Sequence, residues 1–501
     1  MSQPRRGFDH LLRWLLIPAL ALTLAGLLLA GCTLIKPAPP ADPLADYRAA
    51  LRPGFTLPPA QLDALLRYSI TVKIDVAARA YTGTLKLTLP VSRTAALNDL
   101  YFRLYPNLKQ FGGGLTVGGA RVNGVTVNYA YDAEGTAVHL ALPTPLKPGS
   151  AAQVWLIFAG TWPQRDPGAY TIFGQSEEIV SLTNFYPILA GRRGRDWALD
   201  IASPLGDVGF HDAALYRVQV TAPSEQIIAA TGVAVTRTVT ADGWATLTCV
   251  MGPAREFTLN LSPRFQTEEA AAYDTRVISY FLPEDAAAGR SALYDAVAAL
   301  QIYSDQFGPY PYREMAVVQA PLTFHGMEFP GLNLIGSQAY NKYLTDLETL
   351  VVHEVAHQWW YNQVGSDQTQ SPWLDEGLAE FSMYFYFLGR HGQPAADLLR
   401  RQRWEAAVAA HAQRGLDAPI GRSVLEYKRD AYETIIYGKG ALFFATLRDE
   451  LGEKAFQKLL RTYVERYRWR IATPTEFRLL AEEVAGRELG ALFRKWVEGN
   501  E

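Results

Sequence analysis

The chain has 501 residues, of which 49% are apolar and 12% aromatic, so it can bury several hydrophobic cores and is too large for a single small module. Its formal net charge of −3 at pH 7 excludes the basic composition that nucleic-acid-binding proteins share. With only two cysteines, a structural disulfide is not expected, and Cys249, in an alternating apolar stretch, is predicted to be a buried core residue.

The first 31 residues have the composition of a secretion signal. Three arginines precede an apolar run over residues 14–31, which ends in the tetrad Leu29-Ala30-Gly31-Cys32. This tetrad resembles a bacterial lipobox, which implies cleavage before Cys32, lipidation of its thiol, and an extracytoplasmic lipoprotein anchored to a membrane. The alternative is a retained membrane helix, because a run of this length can just span a bilayer.

Three further regions follow the predicted signal. Residues 32–63 are rich in proline and predict a semi-rigid tether. Residues 64–265 contain short alternating apolar runs between turn residues, which predicts an all-β domain of sandwich or saddle type. Within them, an arginine cluster at residues 192–195 is interpreted as a solvated loop, with an anion or substrate-rim contact as the alternative. Residues 266–501 change to mixed α and β and then to mostly helix, which indicates a separate α+β domain.

The segment from Leu350 to Trp360 places His353, Glu354 and His357 in an apolar run. On an α-helix, residues four apart share a face, so both imidazoles can bind one ion while Glu354 stands beside it as a general base for metal-bound water. Thr345 and Glu348 are expected to form the capping box that begins this helix. A pair of core histidines is the alternative, which is disfavoured because burying such a polar trio is costly unless it is paired or binds metal.

Catalytic zinc usually takes a third protein ligand besides two imidazoles. The Ser-Pro pair at residues 371–372 predicts the start of a second helix, which would end at Gly389 and hold Glu376 in its second turn. Glu380 lies one turn further along, where it can accept the second N–H of a ligand histidine; otherwise it is a surface carboxylate. We therefore predict one zinc ion per chain, held by His353, His357 and Glu376.

Three ordered motifs together resemble the aminopeptidase N-type gluzincin metallopeptidases. They are the zinc pattern completed by Glu376, the strand His325-Gly326-Met327-Glu328-Phe329, and the segment Tyr437-Gly438-Lys439-Gly440-Ala441. The resemblance covers roughly residues 64–501, most clearly in the second half. It implies a thermolysin-like α+β catalytic domain after the all-β domain, and a zinc aminopeptidase that acts on peptides.

The resemblance also implies roles for residues outside the metal site. Tyr437 is expected to donate a hydrogen bond to the oxyanion of the tetrahedral intermediate, and Tyr432 to line the same wall. Glu328 is expected to bind the free α-amino group of the substrate and so to reject an acylated N-terminus. Gly326 and Met327, in the same strand, are expected to contact the bound peptide.

The sequence departs from the family in three respects. His325 and Phe329 replace two residues of the family strand, and His325 is interpreted as a pocket wall rather than a fourth ligand. The glutamine-containing loop that helps to hold the amine has no clear counterpart, although Gln175 and Glu177 lie in a plausible region. The sequence ends soon after Trp496, so a helical roof over the site is not expected. An endopeptidase or small-substrate hydrolase with an open cleft, and a non-catalytic envelope lipoprotein with structural zinc, therefore remain alternatives.

Overall fold

The computed structural model describes residues 44–91, 95–323 and 325–499. Cys32, the predicted signal and the first part of the predicted tether lie outside the described residues. Residues Asp46–Glu501 form one compact unit. None of the helices in the described ranges combines the length and the apolar character needed to cross a membrane.

The second half of the predicted tether is folded rather than extended. It contains two short helices, α1 (Ala45–Ala49) and α2 (Pro59–Asp63). Leu51 is buried and forms an isolated antiparallel bridge with Tyr312, and the backbone N–H of Arg52 donates to the carbonyl of Pro311 over 2.9 Å. The tether prediction is therefore wrong for this segment, because its apolar side chains gain burial that a solvated linker lacks.

An eight-stranded sheet, two four-stranded sheets and a two-stranded hairpin form the β-rich region. Its strands are β1 (Leu66–Asp75), β2 (Ala80–Pro90), β3 (Leu97–Arg103), β4 (Gly114–Val122), β5 (Val125–Thr126), β6 (Tyr129–Asp132), β7 (Ala137–Leu146), β8 (Ala151–Thr161), β9 (Phe173–Ser176), β10 (Ile179–Leu182), β11 (Ile188–Leu189), β12 (Arg192–Arg193), β13 (Asp196–Trp197), β14 (Ala214–Pro223), β15 (Ile227–Ala230), β16 (Val233–Val239), β17 (Trp244–Ala254) and β18 (Leu259–Ser262). The large sheet has the order β16-β17-β14-β1-β2-β8-β4-β5, and within it β1 pairs with β14 in parallel. Strand β1 alternates between buried and solvent-facing residues, as one buried sheet face requires.

The second region opens with a five-stranded sheet of order β19-β20-β21-β23-β22. Its strands and the helices beside them are β19 (Gln266–Ala272), β20 (Thr275–Phe281), α3 (Ala286–Phe307), β21 (Glu314–Ala320), β22 (Gly326–Phe329), β23 (Leu332–Gly336) and α4 (Ser337–Asn341). The remaining elements are α5 (Leu347–Ala356), β24 (Val364–Gly365), α6 (Glu376–His391), α7 (Gln393–Leu399), α8 (Ala406–Gln413), α9 (Arg429–Tyr432), α10 (Gly440–Leu451), α11 (Glu453–Tyr467), β25 (Arg470–Ile471), α12 (Pro474–Ala485) and α13 (Gly490–Phe493). The all-β region followed by an α+β region is the predicted fold class.

The predicted start of the first helix and the predicted start and end of the second are wrong. Helix α5 begins at Leu347 without a side-chain cap, because Glu348 accepts hydrogen bonds from Tyr386 and His391 instead of closing a capping box. Its last residue is Ala356, so His357 stands at the C-cap. Helix α6 begins at Glu376 itself, after a separate short turn, and continues through the predicted stop to end before Gly392, which has a φ of 83°.

Arg193 is an ion-paired residue rather than part of a solvated loop. Its guanidinium binds Asp200 in the same region and both carboxylate oxygens of Asp367 in the second region, the latter at 2.5 Å and 3.1 Å. Strand β12, which carries Arg193, pairs with β13 in a small hairpin. The loop interpretation is therefore wrong for Arg193, since a nearby carboxylate and one from the second region both bind it.

Arg255 connects the two regions from a fully buried position. Its Nη1 and Nη2 donate to the carbonyls of His211 and Arg470, each over 2.9 Å, and its Nε donates to the carbonyl of Tyr361. A Cβ on Gly365 would lie 2.2 Å from the guanidinium carbon, so the close approach of this loop requires glycine there.

Replacing Arg255 with methionine should lower the free energy of unfolding by about 3–5 kcal/mol, because the three carbonyls and the neighbouring Glu256 lose their buried partner. Denaturant unfolding of the purified variant measures the loss. The matched control is Arg237→Met, since Arg237 is exposed and bonds one carbonyl in its own region. Equal stability of the two variants would contradict a connecting role for Arg255.

Candidate active site

A cavity of about 810 Å³ lies between the two regions and contains most of the predicted site residues. The β-rich region contributes the irregular segment 203–209 and Glu256. The second region contributes β22, α5, the start of α6, and the segment Glu433–Lys439. The cavity is therefore bounded by segments that are far apart in the sequence.

The three predicted metal ligands meet at one point. Nε2 of His353 and Nε2 of His357 are 3.1 Å apart, and they lie 3.2 Å and 3.3 Å from Oε2 of Glu376. Ligand atoms at about 2.0–2.1 Å from a tetrahedral zinc ion are separated by about 3.3 Å. All three side chains are buried. The donor set and its spacing therefore fit a catalytic zinc ion with three protein ligands.

Partners of the two imidazoles fix which nitrogen faces the site. Nδ1 of His357 lies 2.7 Å from Oδ1 of Asp375 and 2.9 Å from the carbonyl of Trp360. Nδ1 of His353 lies 3.2 Å from Oε2 of Glu380, within ion-pair distance although poorly aligned for a hydrogen bond. Since each Nδ1 faces an acceptor, the protons belong there and both Nε2 lone pairs point at the metal position.

Glu380 is buried rather than a surface carboxylate. Arg403 binds both of its oxygens, and Nε1 of Trp404 donates to Oε1 over 2.8 Å. Burial opposes ionisation, but Arg403 and His353 hold the pKa of Glu380 at about 2. The group is therefore an ionised acceptor beside His353, which is the arrangement that orients a ligand histidine.

Glu354 lies against the backbone of the neighbouring strand. A Cβ on Gly326 would be 2.1 Å from Oε1 of Glu354, so any other residue at this position requires the carboxylate or the strand to move. One ligand atom each of Glu328, Glu354 and His357 lie within 4.8 Å of one another. The predicted base therefore stands beside the metal position with its carboxylate packed on β22.

Tyr437 contacts the site through a metal ligand. Its hydroxyl donates to Oε1 of Glu376 over 2.6 Å, which leaves Oε2 as the oxygen that faces the imidazoles. Tyr432 lies beside it, with the two ring centroids 6.1 Å apart, and both rings line the cavity. Tyr437 therefore has a hydroxyl within reach of groups bound next to Glu376.

Glu328 is buried in the cavity wall, and its Oε1 accepts a hydrogen bond from Gln368 Nε2 over 3.3 Å. Burial raises the pKa of Glu328 well above its usual value, and the nearby carboxylates add to the shift. Met327 and His325 also line the cavity. An ammonium group placed here would relieve the cost of the buried carboxylate.

Gln175 and Glu177 do not line this cavity. Oε1 of Gln175 lies 3.5 Å from Nε1 of Trp162, and Oε1 of Glu177 accepts from the backbone of Gly168. Sequence reasoning missed Asp375, Gln368, Asp207 and Glu256, which do occupy or border the site. Among these four residues, only Asp375 could have been found from the sequence, because it directly precedes the predicted metal ligand Glu376.

Glu256 and His211 form a buried pair on the β-rich side, with Nε2 and Oε2 3.7 Å apart. Burial raises the pKa of Glu256 to about 7, against opposing contacts from Tyr361, Arg255 and Asn184. Burial lowers the pKa of His211 to about 3, and Arg103 and Arg255 add to the shift. Folding therefore raises the pKa of Glu256 and lowers the pKa of His211.

The pair predicts opposing pH dependences of stability. The contribution of Glu256, whose pKa rises on folding, is complete below pH 4.5 and is lost as the pH rises through about 7. The contribution of His211, whose pKa falls on folding, is complete above pH 6.5 and is lost as the pH falls through about 3. Between pH 4.5 and pH 6.5, the two contributions to the free energy of unfolding change in opposite directions with pH and partly cancel.

Glu256→Gln should remove the first contribution and expose the second. The free energy of unfolding of the variant should rise from pH 5 to pH 7 and exceed that of the unchanged chain at pH 8 by about 3 kcal/mol. Denaturant unfolding at pH 5, 7 and 8 measures both effects. The exposed Glu225→Gln serves as control, and parallel pH profiles for all three proteins would contradict the assignment.

Known proteins are similar to this chain over part of its length. Residues 291–496 match the model of the peptidase family M1 domain. The chain is similar to aminopeptidase M1-A of Oryza sativa subsp. japonica, with 28% identity over 254 residues, which are 47% of this chain and 28% of the relative. It is also similar to the thyrotropin-releasing hormone-degrading ectoenzyme of Mus musculus, with 28% identity over 193 residues, 35% of this chain and 18% of that protein. The chain spans about a quarter of the length of the first curated relatives it matches.

Solved structures show the same fold. The M1 zinc metallopeptidase from Deinococcus radiodurans superposes with a TM-score of 0.65 at 23% identity, over 87% of this chain and 94% of that one. A mutant of that enzyme bound to a Tyr-Ser-Ala substrate superposes equally well, over 95% of its chain. The three sequence motifs described above all lie within residues 291–496, the part of the chain that matches the peptidase family M1 domain.

Proposed function

We propose that this chain is a zinc-dependent aminopeptidase, which hydrolyses the N-terminal residue from peptides. The observation that carries the proposal is the position of Glu328, a buried carboxylate whose ligand atom lies within 4.8 Å of those of Glu354 and His357. An ammonium-binding group next to the base and a metal ligand selects substrates by their N-terminus. The M1 family match and the similarity to aminopeptidases over part of the chain support it.

The residues divide the chemistry among them. A zinc ion at His353, His357 and Glu376 would supply a coordinated water of lowered pKa and polarise the scissile carbonyl. Glu354 accepts the proton of the attacking water and delivers it to the nitrogen of the leaving amine. Tyr437 donates a hydrogen bond from its hydroxyl to the carbonyl oxygen as negative charge develops there, in place of its hydrogen bond to Glu376.

Glu328 determines the end of the peptide that is cleaved. Its carboxylate pairs with the α-ammonium of the substrate while β22 holds it beside Glu354. An acetylated N-terminus has no positive charge and would leave the buried carboxylate unpaired, which costs binding energy. Gly326 and Met327, on the same strand, border the position of the first residue.

The test compares free and blocked substrates on the purified chain. Aminoacyl chromogenic amides should be cleaved, their N-acetylated forms should be cleaved at least 100-fold more slowly, and a chelator should abolish the activity until zinc is returned. Equal cleavage of the two forms would remove Glu328 from the mechanism and indicate an endopeptidase. Activity that a chelator leaves unchanged would refute the zinc mechanism.

Anchorage outside the cytoplasm through a lipidated Cys32 is a further part of the proposal, supported by the tetrad Leu29-Ala30-Gly31-Cys32. In a bacterial host, the chain should incorporate radiolabelled palmitate and fractionate with membranes. Cys32→Ser should lose the label. Label that persists in the variant would refute lipidation at this residue.

A further inference from the structure

Gln368 connects the amine-binding side of the cavity to the metal site. It is buried, and its Nε2 donates to Oδ2 of Asp375 over 2.6 Å and to Oε1 of Glu328 over 3.3 Å. The other oxygen of Asp375, Oδ1, accepts from His357 over 2.7 Å. One amide group therefore holds two carboxylates that serve different parts of the site.

The contacts fix the orientation of this amide. Nε2 faces two carboxylates, whereas Oε1 has no hydrogen-bond partner among the described residues. Turning the amide over would place Oε1 against both carboxylates and leave Nε2 without acceptors, so the observed orientation is the one that these groups favour. The side chain is therefore a fixed donor rather than an adaptable one.

The loop that carries Gln368 is held from the β-rich region. Asp367, the preceding residue, receives two hydrogen bonds from Arg193, and its Oδ1 also accepts from the backbone N–H of Gln370. A Cβ on Gly209, also in the β-rich region, would lie 3.2 Å from Oε1 of Gln368. The position of the amide is thus set by both regions.

We propose that Gln368 is a positioning residue that holds Glu328 for the substrate ammonium and Asp375 for His357 at the same time. The inference rests on the proposed function for the role of Glu328, whereas the link to His357 stands on the metal site alone. Removing the donor should let both carboxylates rotate, so that amine binding and metal binding weaken together.

The test uses the isosteric change Gln368→Met, with Gln363→Met as the matched control. Gln363 is equally buried in the same segment, but its Nε2 donates to a backbone carbonyl. Both changes are made in the full chain and in its Glu354→Gln form, which permits binding measurements without turnover. Calorimetry measures the binding of leucine amide and N-acetyl-leucine amide, and competition with a chromogenic chelator measures the dissociation constant of zinc.

Gln368→Met should weaken leucine amide binding about tenfold and zinc binding about three- to tenfold, less than the loss of a direct partner of a ligand histidine. In the active form, KM should rise more than kcat falls. Gln363→Met should change neither constant beyond twofold. Gln368→Glu, which offers no fixed donor to the two carboxylates, should reproduce both losses if the methionine variant does not fold.

The inference would be overturned if the Gln368 variants bound leucine amide and zinc within twofold of the unchanged chain, or if the Gln363 variant showed equal losses. A fall in melting temperature without either loss would also overturn it, because it would indicate a structural role only. If the unchanged chain binds leucine amide no better than its N-acetyl form, the proposed amine site fails, and the zinc measurement then decides whether Gln368 acts through Asp375.

Discussion

Replacing Glu354 with glutamine should lower kcat by about 10²–10⁴-fold while zinc remains bound at one ion per chain. Glutamine has the same shape but cannot accept a proton. The triangle of ligand atoms is formed by His353, His357 and Glu376 without Glu354. Loss of turnover should therefore be separable from loss of metal.

Metal analysis and steady-state kinetics on the same preparation measure the two quantities. Glu348→Gln is the matched control, since Glu348 lies in the same helix but contacts Tyr386 and His391 instead of the metal site. This control should keep full metal content and activity within a few-fold of the unchanged chain. More than a tenth of the original kcat in the Glu354 variant would refute the role of base.

Gly326→Ala should lower kcat/KM by about 100-fold without unfolding the protein. The added methyl carbon would lie 2.1 Å from Oε1 of Glu354, so the carboxylate or the strand must move by about 1 Å, and displacements of that size commonly cost this much rate. The strand also carries Glu328, so discrimination between free and acetylated substrates should fall as well.

Gly119→Ala is the appropriate control, because a Cβ there would meet Ile157 at 3.6 Å, an ordinary contact. Circular dichroism and thermal unfolding should show both glycine variants folded. Unchanged kcat/KM in the Gly326 variant would mean that Glu354 can relax without loss, and the packing of the base on β22 would then have no catalytic importance.

Features encoded within a short stretch of sequence were predictable. The spacing of His353 and His357 reports the helix period directly, and Glu376 follows within reach of an antiparallel return. Period-two alternation predicted the β-rich region because each large strand buries one face. These signals depend on neighbours in the chain, which a sequence displays.

Contacts between distant segments were not predictable. Glu348 could cap its own helix or bind Tyr386 and His391, and the second choice depends on a helix that begins 28 residues later, at Glu376. Gln368 sits in a loop without regular structure, and nothing near it in sequence indicates that Glu328 lies opposite. The same holds for Arg193, whose partner Asp367 comes from the other region.

The observed end of α5 and the observed start of α6 have an electrostatic consequence at the metal position. Because α5 ends at Ala356, its last turn and C-cap carry His353 and His357, so the cation would lie at the negative end of the helix dipole. Because α6 begins at Glu376, that carboxylate lies at the positive end of the second helix dipole, which favours its ionised form. Each alignment typically contributes about 0.3–1 kcal/mol. The two helix dipoles therefore favour a cation and a carboxylate at the same place, and this contribution comes from the backbone alone.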